Sequence, residues 1–162
     1  MTIVDSQVSI PRRLDFDAHL PSYSAAVSAL DSASSAEYDR LELDPRLREL
    51  IKLRASQLNG CAYCVDLHSR DARAAGESEQ RLHAVAVWPE SEFFNPAERA
   101  AFALTEAVTR LSETHVPDAV VTDALNNFSE EEVSALVSVI VTINVWNAIG
   151  VTARCWSPRL RG

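Results

Sequence analysis

Cys61 and Cys64 stand three residues apart, His68 follows Cys64 by four, and Glu49 precedes Cys61 by twelve. Residues three apart on a helix hold their Cβ atoms about 5–6 Å apart. A modest adjustment brings such a pair within the roughly 3.5–4.5 Å of a disulfide. The two thiols can therefore open and close without rearranging the fold, as a redox couple requires. His68 lies one turn beyond Cys64 on the same helix face, where it can accept the thiol proton or hold the thiolate as an ion pair. Both cysteines fall at the start of a predicted helix, where unpaired N–H groups and the helix dipole favour thiolate. The dipole alone favours the more N-terminal Cys61 as nucleophile; the placement of His68 favours Cys64. Glu49 joins this set if the helices on either side of Asn59-Gly60 fold back antiparallel, which brings it level with His68 and lets a carboxylate orient the imidazole.

Each residue also has a plainer use. A C-x-x-C is half of a zinc site, but no second pair follows and His83 and His115 lack the spacing of paired ligands, so neither metal nor cofactor is expected. His68 alone reads as a surface residue paired with Asp71 or Glu77, and Glu49 alone as an early-helix acid beside Lys52. Tyr63 is expected to pack, with a hydroxyl able to donate a hydrogen bond. Cys155 is expected to sit as a small apolar residue beside Trp156. His19, His83 and His115 read as surface or capping residues.

Positioning these groups falls to helices. Asp44-Pro45 is an N-cap followed by proline at the first helical position, opening a helix over about 45–58 that stops at Asn59-Gly60. A second helix is predicted from about Cys61 to Ala75, closed by Gly76, and a third from Ser78 to Val87, stopped by Trp88-Pro89. Asn95-Pro96 with Glu98 caps another, Pro117 opens one that runs to about Phe128, and Ser129 with Glu132 forms a capping box before VSALVSVIVTINVWNAIGV. LPSYSAAVSALDSASSAEYDR upstream reads as helical although its serines weaken the pattern. Strand alternation surfaces only inside residues 133–145, and the preceding cap and the segment's length favour a buried helix. Serine, threonine and asparagine interrupt the same stretch and no basic anchors flank its start, which argues against a membrane span. The expected fold class is all-α, a compact bundle of about six to eight helices.

The chain of 162 residues fits one domain over 1–162, with its core over about 40–155 and residues 1–12 as a loose arm. Fifteen Lys and Arg against 23 Asp and Glu leave a net charge of -8, which repels nucleic acid. No basic tract suits an anionic membrane. The opening MTIVDSQVSIPRRLDF is acidic early and has no apolar run, so it is not read as a signal peptide and a cytoplasmic location is expected. Three cysteines are too few for a secreted disulfide scaffold.

Taken together, Glu49, eleven residues, Cys61, two, Cys64, three, and His68 resemble the signature of the AhpD-like alkylhydroperoxidases within the carboxymuconolactone decarboxylase superfamily. ASQLNGCAYCVDLHSRDARAAG is similar to that family's core hairpin, and INVWNAIGVTAR to its closing Asn-x-Trp-Asn helix. The resemblance implies an all-α homo-oligomer, trimeric or hexameric, that reduces hydroperoxides through a Cys61–Cys64 dithiol/disulfide cycle at the expense of an external thiol or dithiol. It implies catalytic roles for Cys64 as nucleophile, Cys61 as resolving thiol, and Glu49 and His68 as proton relay. Tyr63 stands where some peroxidase members have histidine, and Ala148 where arginine is common. The alternatives are dithiol–disulfide exchange, another decarboxylase-like reaction, or non-enzymatic redox sensing.

Overall fold

Proline, glycine and small polar caps divide the chain into helices wherever the backbone needs a first or last turn satisfied. The fold, taken from a computed structural model that describes residues 8–158, holds nine α-helices and one 3-10 helix and no strand among those residues. They are α1 (Phe16–His19), α2 (Pro21–Arg40), α3 (Pro45–Asn59), α4 (Ala62–Ala74), α5 (Glu79–Ala84), the 3-10 helix Val85–Glu90, α6 (Pro96–Thr109), α7 (Leu111–Thr114), α8 (Asp118–Asn127) and α9 (Glu130–Ala153). The all-α class is as the sequence reads. The count exceeds six to eight because α1 and α7 are single turns of 4 residues each, too short to carry a hydrophobic period. Of the expected N-terminal arm, residues 1–7 lie outside the described residues, and residues 8–12 carry no regular structure.

The caps act as their residue types dictate. Asp44 accepts from the Arg46 N–H, and Gly60 takes the left-handed C-cap of α3 at φ 69°. Both capping boxes form, Asn95 with Glu98 and Ser129 with Glu132. The helix expected over Ser78–Val87 is shorter: α5 ends at Ala84 and tightens into a 3-10 turn that continues through Pro89 instead of stopping before it. The Arg99 guanidinium holds that turn by donating to the carbonyls of Trp88, Pro89 and Ser91 at 3.1, 2.9 and 2.9 Å.

α9 is the axis of the bundle. It is the one helix among the described residues long and apolar enough to cross a membrane, yet half of its apolar window is buried inside the protein, as in a core helix. It packs on α2, α3, α4, α6 and α8. Leu47, Ile51, Leu104, Leu136, Val139 and Ile140 form the main core, and Leu50, Leu53, Val85, Phe94 and Phe102 a second one under the 3-10 turn. A third, smaller cluster is made of Ala55, Cys61, Cys64 and Ile143, with Tyr63 and Trp146 against it.

Polar residues in α9 fix its register on the turn that presents the cysteines. Asn59 Nδ2 donates to Asn144 and Asn147 Oδ1 at 2.8 and 3.0 Å, and Asn147 Nδ2 donates to Ser56 Oγ at 3.0 Å. Asn147 is 1% exposed, so truncating it strands buried partners. Asn147→Ala is expected to lower the unfolding free energy by about 1–3 kcal/mol; a denaturant midpoint unchanged from wild type contradicts this.

Candidate active site

α3 and α4 form an antiparallel hairpin around Gly60, and that hairpin builds the site. Cys61 is the N-cap of α4, its sulfur accepting from the Cys64 N–H at 3.4 Å, so Cys64 sits in the first helical turn. The two cysteines are joined by a disulfide with Cα atoms 5.3 Å apart. Both are buried. One turn on, His68 faces back across the hairpin, and its Nδ1 lies 2.9 Å from Glu49 Oε2. The levelling expected of an antiparallel pair thus holds at this point, and His68 pairs with Glu49 rather than with Asp71 or Glu77. Glu77 instead accepts from Arg81.

Glu49 and His68 are buried together at 7% exposure each. Burial pushes the Glu49 carboxyl up, but the His68 hydrogen bond and the cations Lys52 and Arg48 outweigh it and hold the group below the usual carboxylate range. An ionised carboxylate accepts only, so Nδ1 of His68 is the donor in this pair, and Nε2 has no hydrogen-bond partner among the described residues. Arg48 donates to the other Glu49 oxygen at 3.3 Å. Glu49, His68 and Asp71 bring ligand atoms within 4.8 Å of one another, the one group among the described residues that could hold a metal ion. A cation there would have to displace the protons that His68 and Arg48 already direct at Glu49.

A cavity of about 440 Å³ opens beside Cys64 and His68. Tyr63, Leu67, Ile143, Trp146 and Trp156 make one wall, and Ser24, Ala25 and Ser28 of α2 the other. The small side chains that weaken α2 as an amphipathic helix are what leave this volume open. Trp156 packs on Tyr63 and Trp146 with ring centroids 5.7 and 5.5 Å apart, and its Nε1 donates to Asp17 of α1 at 2.9 Å. A Cβ at Gly150 would lie 3.1 Å from Cys61 Sγ and 3.3 Å from the Trp156 ring, so glycine there lets α9, the tail and the disulfide meet.

Sequence reading did not place Asp17, the α2 serines or Trp156 at the site, because no local pattern joins residues so far apart in the chain. Tyr63 packs as expected. Cys155 is half-buried, and burial together with the nearby Asp17 carboxylate pushes its thiol pKa up. His19, His83 and His115 lie outside this cavity and are exposed; His83 sits 3.7 Å from Glu79.

A model of the carboxymuconolactone decarboxylase family matches residues 21–107. Over 104 residues the chain is 44% identical to the uncharacterized protein YdfG of Bacillus subtilis, a span of 64% of this chain and 71% of YdfG. A solved protein of Agrobacterium tumefaciens, of unknown function and with an AhpD-type role in antioxidant defence suggested for it, superposes with a TM-score of 0.86 at 37% identity, over 93% of this chain and all of that one. The peroxidase-related protein of Ralstonia eutropha JMP134 with an alkylhydroperoxidase AhpD core shares the fold, at a TM-score of 0.72 and 22% identity over 88% of this chain and 74% of that one. The hairpin that sets Glu49 against His68 and joins Cys61 to Cys64 lies wholly inside the matched segment: the chain belongs to the carboxymuconolactone decarboxylase family, as an AhpD-like member.

Proposed function

We propose that this chain is a thiol-dependent peroxidase that reduces hydroperoxides through a Cys61–Cys64 dithiol/disulfide cycle. The observation that carries this reading is the buried Glu49–His68 pair at 2.9 Å on the helix face that also bears Cys64, beside a cavity able to admit a substrate. In the reduced protein Glu49 orients His68, and Nε2 takes the Cys64 proton. The Cys64 thiolate attacks the peroxide oxygen, the O–O bond breaks, and the leaving alkoxide takes the proton back from His68 as an alcohol. The resulting sulfenic acid is attacked by the Cys61 sulfur, water departs, and the disulfide closes. Two equivalents of an external thiol, or one dithiol, return the pair to its reduced form. A reducing compartment such as the cytoplasm supplies that thiol.

The same reading takes the chain as one helical domain acting as a homo-oligomer, a trimer or hexamer. Its support is an apolar groove of about 590 Å³ between α2 and α9, where Leu30 and Val141 stand exposed. Dithiol–disulfide exchange is the second reading, favoured by Tyr63, which puts an aromatic ring where some peroxidase members carry a proton-relaying histidine.

Stopped-flow mixing of reduced protein with hydrogen peroxide and with an organic hydroperoxide decides between them. Peroxidase chemistry consumes both thiols of the pair and yields a first sulfenic acid on Cys64 by mass spectrometry. Oxidation far faster by a model disulfide than by either peroxide hands the site to exchange instead.

A further inference from the structure

The two cysteines of the disulfide border different spaces. Cys64 lines the 440 Å³ cavity with His68, and Cys61 is not part of its wall. Cys61 lines a second cleft of about 350 Å³, to which neither Cys64 nor His68 contributes. Tyr63 and Trp156 belong to both walls, so these two rings, 5.7 Å apart, divide the spaces. The second cleft is bounded by the α3–α4 turn at Gly60 and Ala62, by the C-terminal end of α9 at Gly150, Val151 and Arg154, and by Ile10 and Arg13 of the N-terminal segment. The Arg13 and Leu14 N–H groups donate to the Ala153 carbonyl at 2.9 and 3.0 Å, which fixes that segment against α9. Arg13 and Arg154 have no carboxylate partner among the described residues. The start of α4 borders the same cleft through Ala62 and Tyr63.

We propose that this second cleft is the reductant site, taking a small thiol as its thiolate, preferentially one that carries a further negative charge, and directing it onto Cys61. The proposal rests on the dithiol cycle described above, and it separates the cycle into two approaches. Peroxide meets Cys64 in one cavity, and the reducing thiol meets Cys61 in the other. The incoming thiolate forms a bond to Cys61 Sγ as the Sγ–Sγ bond breaks, and the electron pair leaves on Cys64, which is protonated on the His68 side. A second thiolate then attacks the thiol-derived sulfur of the mixed disulfide. Cys61 leaves as a thiolate, and the products are one small-molecule disulfide and the dithiol protein, with two electrons transferred. Two guanidinium groups and a helix start favour an approaching anion and raise its local concentration, an effect that salt screens.

The reductive half-reaction tests this without any peroxide, using full-length protein oxidised by diamide and followed through thiol release with 2-mercaptoethanol, mercaptoacetate and cysteamine. Val151→Trp fills the second cleft alone and is expected to slow reduction by about tenfold or more through lost access to sulfur. Ala25→Trp fills the other cavity and is expected to leave reduction at the wild-type rate. If Val151→Trp does not fold, Ala62→Phe serves in its place, because Ala62 is exposed and lines the second cleft only. Arg13→Ala combined with Arg154→Asn is expected to lower the rate ratio of mercaptoacetate to cysteamine several-fold at low salt. Acid quenching and alkylation of the wild type should place the mixed disulfide on Cys61 and the alkyl group on Cys64. A mixed disulfide on Cys64, reduction slowed by Ala25→Trp instead of the cleft variants, or a charge ratio unmoved by the arginine pair overturns the assignment. A reduced protein inert to peroxide would sink the peroxidase reading and leave these reduction results to stand by themselves.

Discussion

Replacing Cys64 by serine is expected to abolish hydroperoxide turnover, lowering the second-order rate of peroxide consumption by at least about a thousandfold. A serine hydroxyl is not ionised by an imidazole four residues away, and it forms neither sulfenic acid nor disulfide. Cys64 is 3% exposed, so the hydroxyl also enters an apolar cluster at a cost of about 1–3 kcal/mol unless it finds a partner. Two companions separate chemistry from folding. Cys61→Ser removes the resolving thiol and should still react once with peroxide, leaving a persistent sulfenic acid on Cys64. Cys155→Ser should turn over as wild type does. If Cys64→Ser retains rapid oxidation while Cys61→Ser loses it, the nucleophile is Cys61, and the helix-dipole argument outweighs the placement of His68.

Glu49→Gln carries the second large effect and reaches both rate and stability. The amide keeps the shape of the carboxylate but not its charge, so His68 loses the partner that fixes Nδ1 as the donor. The rate of Cys64 oxidation at neutral pH is expected to fall by about 10²-fold, with the pH dependence of thiolate formation displaced as well. A rate within threefold of wild type, with an unaltered pH profile, removes Glu49 from the relay.

Stability follows the sign of the pKa shift. Burial opposes the Glu49 charge, and His68, Lys52 and Arg48 overcome it, so the folded pKa lies below the unfolded value. Glu49 ionisation therefore stabilises the native state in full above its unfolded pKa of about 4.3, and the contribution is lost as pH falls through the lower folded value. Glu49→Gln should be less stable than wild type at pH 7 by about 1–3 kcal/mol, because the hydrogen bonds from His68 and Arg48 lose their charged acceptor, while Arg48 and Lys52 keep Asp39 and Asp31 as partners. That difference should shrink as pH drops through the acid range, which urea midpoints measured across it will show. A stability gap that widens on acidification contradicts the assignment.

Most of the helical framework is legible in the chain because its signals are local. Asp44-Pro45, Asn59-Gly60, Asn95 with Glu98 and Ser129 with Glu132 each satisfy backbone groups within a few residues of themselves, and all of them act as written. What fails has no signal in the neighbouring residues. The 3-10 turn that follows α5 is held by Arg99 of α6, whose guanidinium reaches back about ten residues to the carbonyls of Trp88 and Pro89, and no pattern around Pro89 announces it. The single turns α1 and α7 have too few residues to show a period.

At the site the division runs the same way. The sequence by itself determines that Cys64 and His68 share one helix face with Cys61 at the start of that helix, since a fixed 3.6-residue turn converts spacing into direction. It determines that Glu49 has the right distance from the turn to meet His68, on condition that α3 and α4 pack antiparallel. Tertiary structure alone decides that condition, and it closes the pair at 2.9 Å. It alone brings Asp17, the serines of α2 and Trp156 to the mouth of the Cys64 cavity, since contacts between residues 17 and 156 depend on how the whole bundle closes. It alone also shows that the two cysteines of one disulfide border two different spaces, with Tyr63 and Trp156 common to both walls. Spacing fixes which groups can react together; packing fixes from which side a substrate reaches each of them.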